Sequence, residues 1–204
     1  MSSPGPELPP PRAPAPPADP AALLNPGFAT AVAPDIYRAR FVTTRGDFVV
    51  EVRRDLAPHG ADRFYNLVRI GFYDGTRFFR AIDGFMVQWG IPGDPAVASA
   101  WHDATIADDP NKRTNGRGTI SFAKTASPDS ATTQVFVNYG DNGRLDMMHF
   151  SPFGEVVEGM AALDALYKGY GEKPSQSRIQ SEGDAYLNGF PLMDRILRAR
   201  VEGE

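Results

Sequence analysis

Arg77-Phe78-Phe79-Arg80-Ala81-Ile82 followed closely by Phe85-Met86-Val87-Gln88 is the stretch on which the fold turns. Both runs are short and apolar enough to read as β-strands. Two more runs of the same kind lie downstream, Thr119-Ile120-Ser121-Phe122-Ala123 and Gln134-Val135-Phe136-Val137-Asn138. Upstream, Ile36-Tyr37-Arg38-Ala39-Arg40-Phe41-Val42-Thr43 alternates in part, and Phe48-Val49-Val50-Glu51-Val52 is β-branched. Thr44-Arg45-Gly46-Asp47 between them is a hairpin signal, because Gly46 is free to take a positive φ. The Arg-Gly-Asp string is therefore a turn and not an adhesion motif. At the far end Leu197, Ala199 and Val201 alternate with Arg198, Arg200 and Glu202, which predicts a half-buried strand of period two.

Helical periodicity appears twice. Ala61, Phe64, Leu67 and Val68 share a face between residues 61 and 70, with Pro58 near the start and Gly71 past the end. Met160, Leu163, Leu166 and Tyr167 do the same between residues 159 and 167. Strands distributed around only two helices predict a mainly β fold, a closed antiparallel barrel rather than a parallel α/β sheet.

The totals narrow the function. The chain has 204 residues, room for one domain with a proper core. Its 20 Gly and 19 Pro favour turns and short elements. A net charge of -4 and a pI of about 5.4 argue against nucleic acid as a partner, which demands a basic stripe. With no Cys, thiolate nucleophiles, disulfides and Cys-based zinc sites are excluded. His59, His102 and His149 lack ligand spacing, so no metal site is expected. No apolar stretch reaches the ~18 residues of a membrane span.

Eleven of the 19 prolines fall in residues 1–34, with the run Pro9-Pro10-Pro11-Arg12-Ala13-Pro14-Ala15-Pro16-Pro17. Such a segment favours extended polyproline backbone and predicts a tail or linker over 1–34, leaving a single domain over 35–204. A tether of this kind favours an exported, periplasmic protein whose signal lies outside this chain over a cytoplasmic form, which the sequence also allows.

The order of the remaining motifs is specific. Tyr73-Asp74-Gly75-Thr76-Arg77-Phe78-Phe79-Arg80, Gly84-Phe85-Met86-Val87-Gln88, Gly118-Thr119-Ile120-Ser121-Phe122-Ala123, Thr133-Gln134-Val135-Phe136-Val137, Leu145-Asp146 and Phe153-Gly154-Glu155-Val156-Val157-Glu158-Gly159-Met160 follow one another. Together they resemble, in order and spacing, the signature blocks of the cyclophilin family of peptidyl-prolyl cis/trans isomerases. The resemblance spans roughly residues 37 to 202. It implies an eight-stranded antiparallel β-barrel capped by two α-helices, and an enzyme that turns X-Pro bonds in protein substrates and so assists folding. Carried over position by position, it implies Arg80 as the catalytic arginine. Phe85, Met86, Phe136 and Leu145 then match the walls of a proline pocket, and Gln88, Ala123, Lys124 and Gln134 match positions that hold the peptide backbone. No cofactor is implied. The expected partners are proline-containing polypeptides, and a monomer is expected.

The chemistry suits such residues without the resemblance. X-Pro rotation breaks amide resonance against a barrier of ~18 to 20 kcal/mol, and no covalent bond need form. In the twisted amide the prolyl nitrogen regains a lone pair, and a fixed guanidinium such as Arg80 can donate to it there and not in the planar state. A lone Arg between strand aromatics is ordinarily a surface residue, and Phe136, Met86 and Leu145 would each be core filler. Gln88 and Gln134 inside apolar strands are harder to set aside, since a buried amide needs partners.

Three departures from the family pattern stand out. Counting forward from Leu145-Asp146, the usual pocket histidine falls on His149; counting back from Phe153-Gly154, it falls on Phe150, which is the match adopted. Arg144 stands where several members have a tryptophan that forms part of the cyclosporin site, so the resemblance does not extend to cyclosporin sensitivity. Lys124 replaces the usual asparagine. Residues 89–114 and 171–192 depart in length, and the sequence assigns the second of these no role. Two other classes remain open: a non-catalytic peptide-binding module that keeps the groove, and a carbohydrate-active enzyme built on Asp146 with Glu155 and Glu158.

Overall fold

The computed structural model describes residues 20–204. Eight strands appear in it: β1 (Ile36–Thr43), β2 (Gly46–Arg53), β3 (Arg80–Ile82), β4 (Met86–Trp89), β5 (Thr119–Phe122), β6 (Val135–Asn138), β7 (Gly154–Glu158) and β8 (Ile196–Val201). They form one curled antiparallel sheet in the order β3-β4-β6-β5-β7-β2-β1-β8.

Closure is where the expectation needs correction. β3 and β8 are the end strands, and no ladder joins them. The seam is laced instead by irregular chain: an isolated bridge Arg77↔Arg195, with Phe78 N donating to Asp194 O at 3.0 Å and Ile196 N to Thr76 O at 2.9 Å. The run 77–82 yields only three strand residues because the turn over 73–76 delivers the chain to the seam. There Thr76 Oγ1 donates to Tyr73 O at 2.7 Å.

The β1–β2 hairpin forms as its sequence predicts. Thr43 pairs with Gly46 across the two-residue loop Thr44-Arg45, and Gly46 adopts φ +114°. β8 alternates as predicted at Ala199 and Val201, which are buried, but not at Leu197. A bulge opposite Val42 and Thr43 skips Leu197, which is 47% exposed, and turns Ile196 inward to complete burial. One extra residue on a bulged strand reverses the facing of its neighbours beyond the bulge.

The α-helices number five among the described residues, not two: α1 (Pro58–Arg69), α2 (Pro95–Trp101), α3 (Met160–Asp164), α4 (Gln176–Glu182) and α5 (Asp184–Leu187). α1 matches its prediction, burying Ala61, Phe64, Leu67 and Val68. Its first turn is satisfied from afar: Asp109 accepts from His59 N at 3.1 Å and Gly60 N at 2.8 Å, placing a carboxylate at the positive end of the helix. α3 stops well short of Tyr167, because the Tyr167 N–H donates to Asp194 Oδ2 at 2.7 Å instead of continuing the helix. α2 starts on Asp94, whose Oδ1 accepts from Ala96 N at 2.8 Å ahead of Pro95.

The main core fills the curl of the sheet with aromatic side chains. Phe41 and Phe48 stack at 4.8 Å, and Trp89, Phe64 and Tyr73 close around them. A second, smaller core stands outside the sheet and joins Phe79 and Ile91 to Ile179, Leu187 and Met193 of the segment after α3.

The boundary drawn at Pro34 falls inside packed chain. Ala22 and Ala33 are fully buried. Trp101 Nε1 donates to Leu23 O at 3.0 Å, Ala31 exchanges hydrogen bonds with Asn66, and Ala33 N donates to Asp62 Oδ1 at 2.9 Å. Residues 21–33 are therefore held against α1 and α2 rather than trailing free. The proline run at 9–17 lies outside the described residues. No helix among those residues is long and apolar enough to cross a membrane.

Candidate active site

The strand register builds the site as a row. Arg80 of β3 pairs with Gln88 of β4, Gln88 with Phe136 of β6, and Phe136 with Ser121 of β5. Residues opposite one another in antiparallel strands share a face, so the guanidinium, the amide and the aromatic ring line up on one surface of the sheet. That surface is the floor of a cleft of about 460 Å³.

All ten residues singled out from the sequence line this cleft: Arg80, Phe85, Met86, Gln88, Ala123, Lys124, Gln134, Phe136, Leu145 and Phe150. Its apolar end is a packed unit of its own. Met86, Phe136 and Leu145 are buried, with Ile82, Phe85, Ala123 and Phe150 partly buried against them. Phe150 meets Phe136 edge-on at 5.6 Å.

The polar side is a chain of donors. Arg80 Nη1 donates to Gln88 Oε1 at 3.3 Å, and Gln88 Nε2 donates to Gln134 Oε1 at 2.8 Å. The Arg80 guanidinium lies 5.8 Å from the Phe85 ring centre, and Arg144 covers the same ring at 4.7 Å. Ala123 N donates to Gln134 O at 2.9 Å, tying the end of β5 to the β6 side of the cleft. Lys124 lines the wall, but its ammonium turns to Asp108 Oδ2 at 2.5 Å.

The alternative between His149 and Phe150 resolves structurally. His149 caps the 3-10 turn Gly143–Met148 at φ +59° and faces a separate small recess beside Gly60, Asp109 and Ser151. Phe150, not His149, lines the cleft.

Beneath the cleft lies an asparagine network that the sequence did not disclose. Asn142 Nδ2 donates to Phe85 O at 2.8 Å and Asn138 Oδ1 at 2.7 Å. Asn115 Nδ2 donates to Phe150 O at 2.8 Å and to Asp146 Oδ1 at 2.7 Å, and Asn115 N adds a third bond at 2.9 Å. These bonds fasten Phe85 and Phe150 from below. They also hold the Asp146 carboxyl below the usual carboxylate range: partial burial would raise it, and the donated bonds from Asn115 and its neighbours outweigh that.

The paired-carboxylate reading fails on geometry. Asp146 is bound to Asn115, Glu155 of β7 pairs with Arg113, and none of Asp146, Glu155 or Glu158 lines the cleft. The cleft's remaining wall comes from elements with no sequence signal for it, among them His102, Thr105, Gln176 and Gln180.

The curled antiparallel sheet sets the Arg80 guanidinium beside an apolar recess and a pair of amides. Residues 38–183 match the family of cyclophilin type peptidyl-prolyl cis-trans isomerases. The chain is 35% identical over 180 residues to peptidyl-prolyl cis-trans isomerase A of Dickeya dadantii, covering 86% of this chain and 88% of that protein. It is 36% identical over 137 residues to peptidyl-prolyl cis-trans isomerase B of Escherichia coli, covering 62% of this chain and 81% of that one. The crystal structure of a Cryptosporidium parvum cyclophilin type isomerase superimposes with a TM-score of 0.62 at 22% identity, covering 83% of this chain and 99% of that one, which shows the shared fold. The chain belongs to the cyclophilin-type peptidyl-prolyl cis-trans isomerase family and is an isomerase of that class.

Proposed function

We propose that the X-Pro bond turns in this cleft with Arg80 as the catalytic residue and the proline ring seated among Phe85, Met86, Phe136, Leu145 and Phe150. The observation that carries this is the juxtaposition of Arg80 Nη1, fixed by Gln88, with a self-contained apolar recess. The planar amide has no free lone pair on its nitrogen, and the twisted amide has one. A guanidinium held beside that nitrogen therefore binds the transition state more strongly than the ground state, which is what acceleration requires.

Magnitude sets the division of labour. A charge-assisted hydrogen bond of ~1.5 to 3 kcal/mol supplies about ten- to a hundredfold. The rest comes from the apolar recess, where the strongly dipolar planar amide loses more hydration than the less dipolar twisted one. Gln88, Gln134 and the backbone at Ala123 and Lys124 hold the peptide on either side while one end rotates. Proline-containing segments of unfolded or flexible chains are the substrates. Nothing covalent changes, so the residues named here suffice without a cofactor.

Refolding of a protein limited by a slow prolyl isomerisation tests this reading against the non-catalytic binding module. At about one enzyme per hundred substrate chains, the slow phase shortens if the cleft turns over, since uncatalysed isomerisation takes roughly tens to hundreds of seconds. A slow phase that changes only near equimolar protein contradicts it.

A further inference from the structure

We propose that Glu172, carried by the segment after α3, is a positioning residue that orients the Arg80 guanidinium for catalysis. The inference rests on the assignment of Arg80 as the transition-state donor. Arg80 Nε donates to Glu172 Oε1 at 2.8 Å, and Arg80 Nη2 donates to the same oxygen. Gln88 takes Nη1. All three guanidinium nitrogens are thereby committed in direction, two toward the outer wall and one along the cleft floor.

Segment 171–192 is built to deliver this carboxylate. Phe79, the residue before Arg80, points out of the sheet into the second core with Ile179 of α4, Leu187 of α5 and Met193. Tyr170 packs edge-on against Phe190 at 5.1 Å, and its hydroxyl accepts from Leu192 N at 3.3 Å. Gly171 then turns at φ +54°, a conformation other residues adopt only with strain, and Glu172 comes directly after it. The same packed cluster thus anchors the backbone on both sides of the ion pair. Arg80 borders both the cleft and a second hollow lined by Phe79, Glu172, Pro174 and Gln176, so Glu172 holds the guanidinium from the hollow beside the cleft.

A long side chain carries substantial rotamer freedom, and an unrestrained Arg80 would spend part of its time pointing away from the prolyl nitrogen. Restraint of this kind matters when the amide is twisted and not when it is planar, so its loss shows in kcat and leaves KM in place. Glu172 is 62% exposed on its side chain, and Gln is nearly isosteric with it, so Glu172→Gln removes the charge without disturbing the fold.

The experiment measures isomerisation of a proline tetrapeptide by line-shape exchange for wild type and Glu172→Gln, together with the guanidinium Nε–H resonance of Arg80, assigned by its absence in Arg80→Lys. The expected result is a fall in kcat of about two- to fivefold, the range that partly exposed ion pairs carry, at unchanged KM. The Arg80 Nε–H signal, sharp in wild type, broadens by solvent exchange in the variant. A kcat that is unchanged or raised, or a Nε–H signal unaffected by the substitution, overturns the proposal. An inactive wild type instead overturns the assignment of Arg80 itself, so the two failures are distinguishable.

Discussion

Arg80 and Gln88 face each other across the β3–β4 ladder, and the register that pairs their backbones lets Gln88 Oε1 accept from Arg80 Nη1 at 3.3 Å. Gln88 is buried and also donates to Gln134, so its amide is fixed in orientation before it fixes the arginine. Gln88→Ala leaves Nη1 without that partner and Gln134 without its donor. The expected outcome is a fall in kcat of about three- to tenfold, the worth of one hydrogen bond, with the fold retained. Exchange kinetics on a tetrapeptide check it, and wild-type kcat in the variant contradicts it.

Arg144 lies over the Phe85 ring at 4.7 Å, at the rim of the apolar recess. The family resemblance places a tryptophan of the cyclosporin site at this position. An arginine stacks on the ring but brings a hydrated charge where the drug presents apolar surface. Titration calorimetry is expected to show weak cyclosporin binding, tightened at least about tenfold by Arg144→Trp, since buried tryptophans are frequent anchors of interfaces. Equal affinities in the two proteins contradict this.

The depressed carboxyl of Asp146 has a consequence for stability in acid. Its folded pKa lies below its unfolded value, so the ionised group contributes stability above the unfolded pKa of about 3.9, and that contribution is lost as pH falls through the carboxylate range. Melting temperature tracked downward from about pH 6 is expected to fall more steeply in wild type than in Asp146→Asn. Asn115 ties Asp146 to Phe150, so KM for peptide is expected to rise along the same acid limb. Parallel melting curves in the two proteins contradict the assignment.

Much of the fold and of the cleft is legible in the sequence, and the reasons differ by element. The β1–β2 hairpin and α1 carry their own signals, a two-residue period around Gly46 and a helical face of Ala61, Phe64, Leu67 and Val68. The cleft residues are legible because short blocks of strand sequence stay together in the register, Arg80 opposite Gln88 opposite Phe136. The features that escape depend on contacts between distant segments. The length of α3 is decided by Asp194, the inward face of β8 by a bulge against β1, and α1's missing cap by Asp109. Glu172 carries no signal at all: it sits in a polar loop, and only the packing of Phe79 against α4 and α5 brings it to Arg80.

The central claim is that Arg80 stabilises the twisted amide. It is tested most directly by measuring the isomerisation rate of a proline tetrapeptide with wild type and Arg80→Ala. A guanidinium worth a single charge-assisted hydrogen bond predicts strong acceleration by wild type and a loss of about ten- to a hundredfold in kcat/KM for the variant, with peptide binding largely retained. Equal rates for the two proteins, or no acceleration by wild type, would contradict the account.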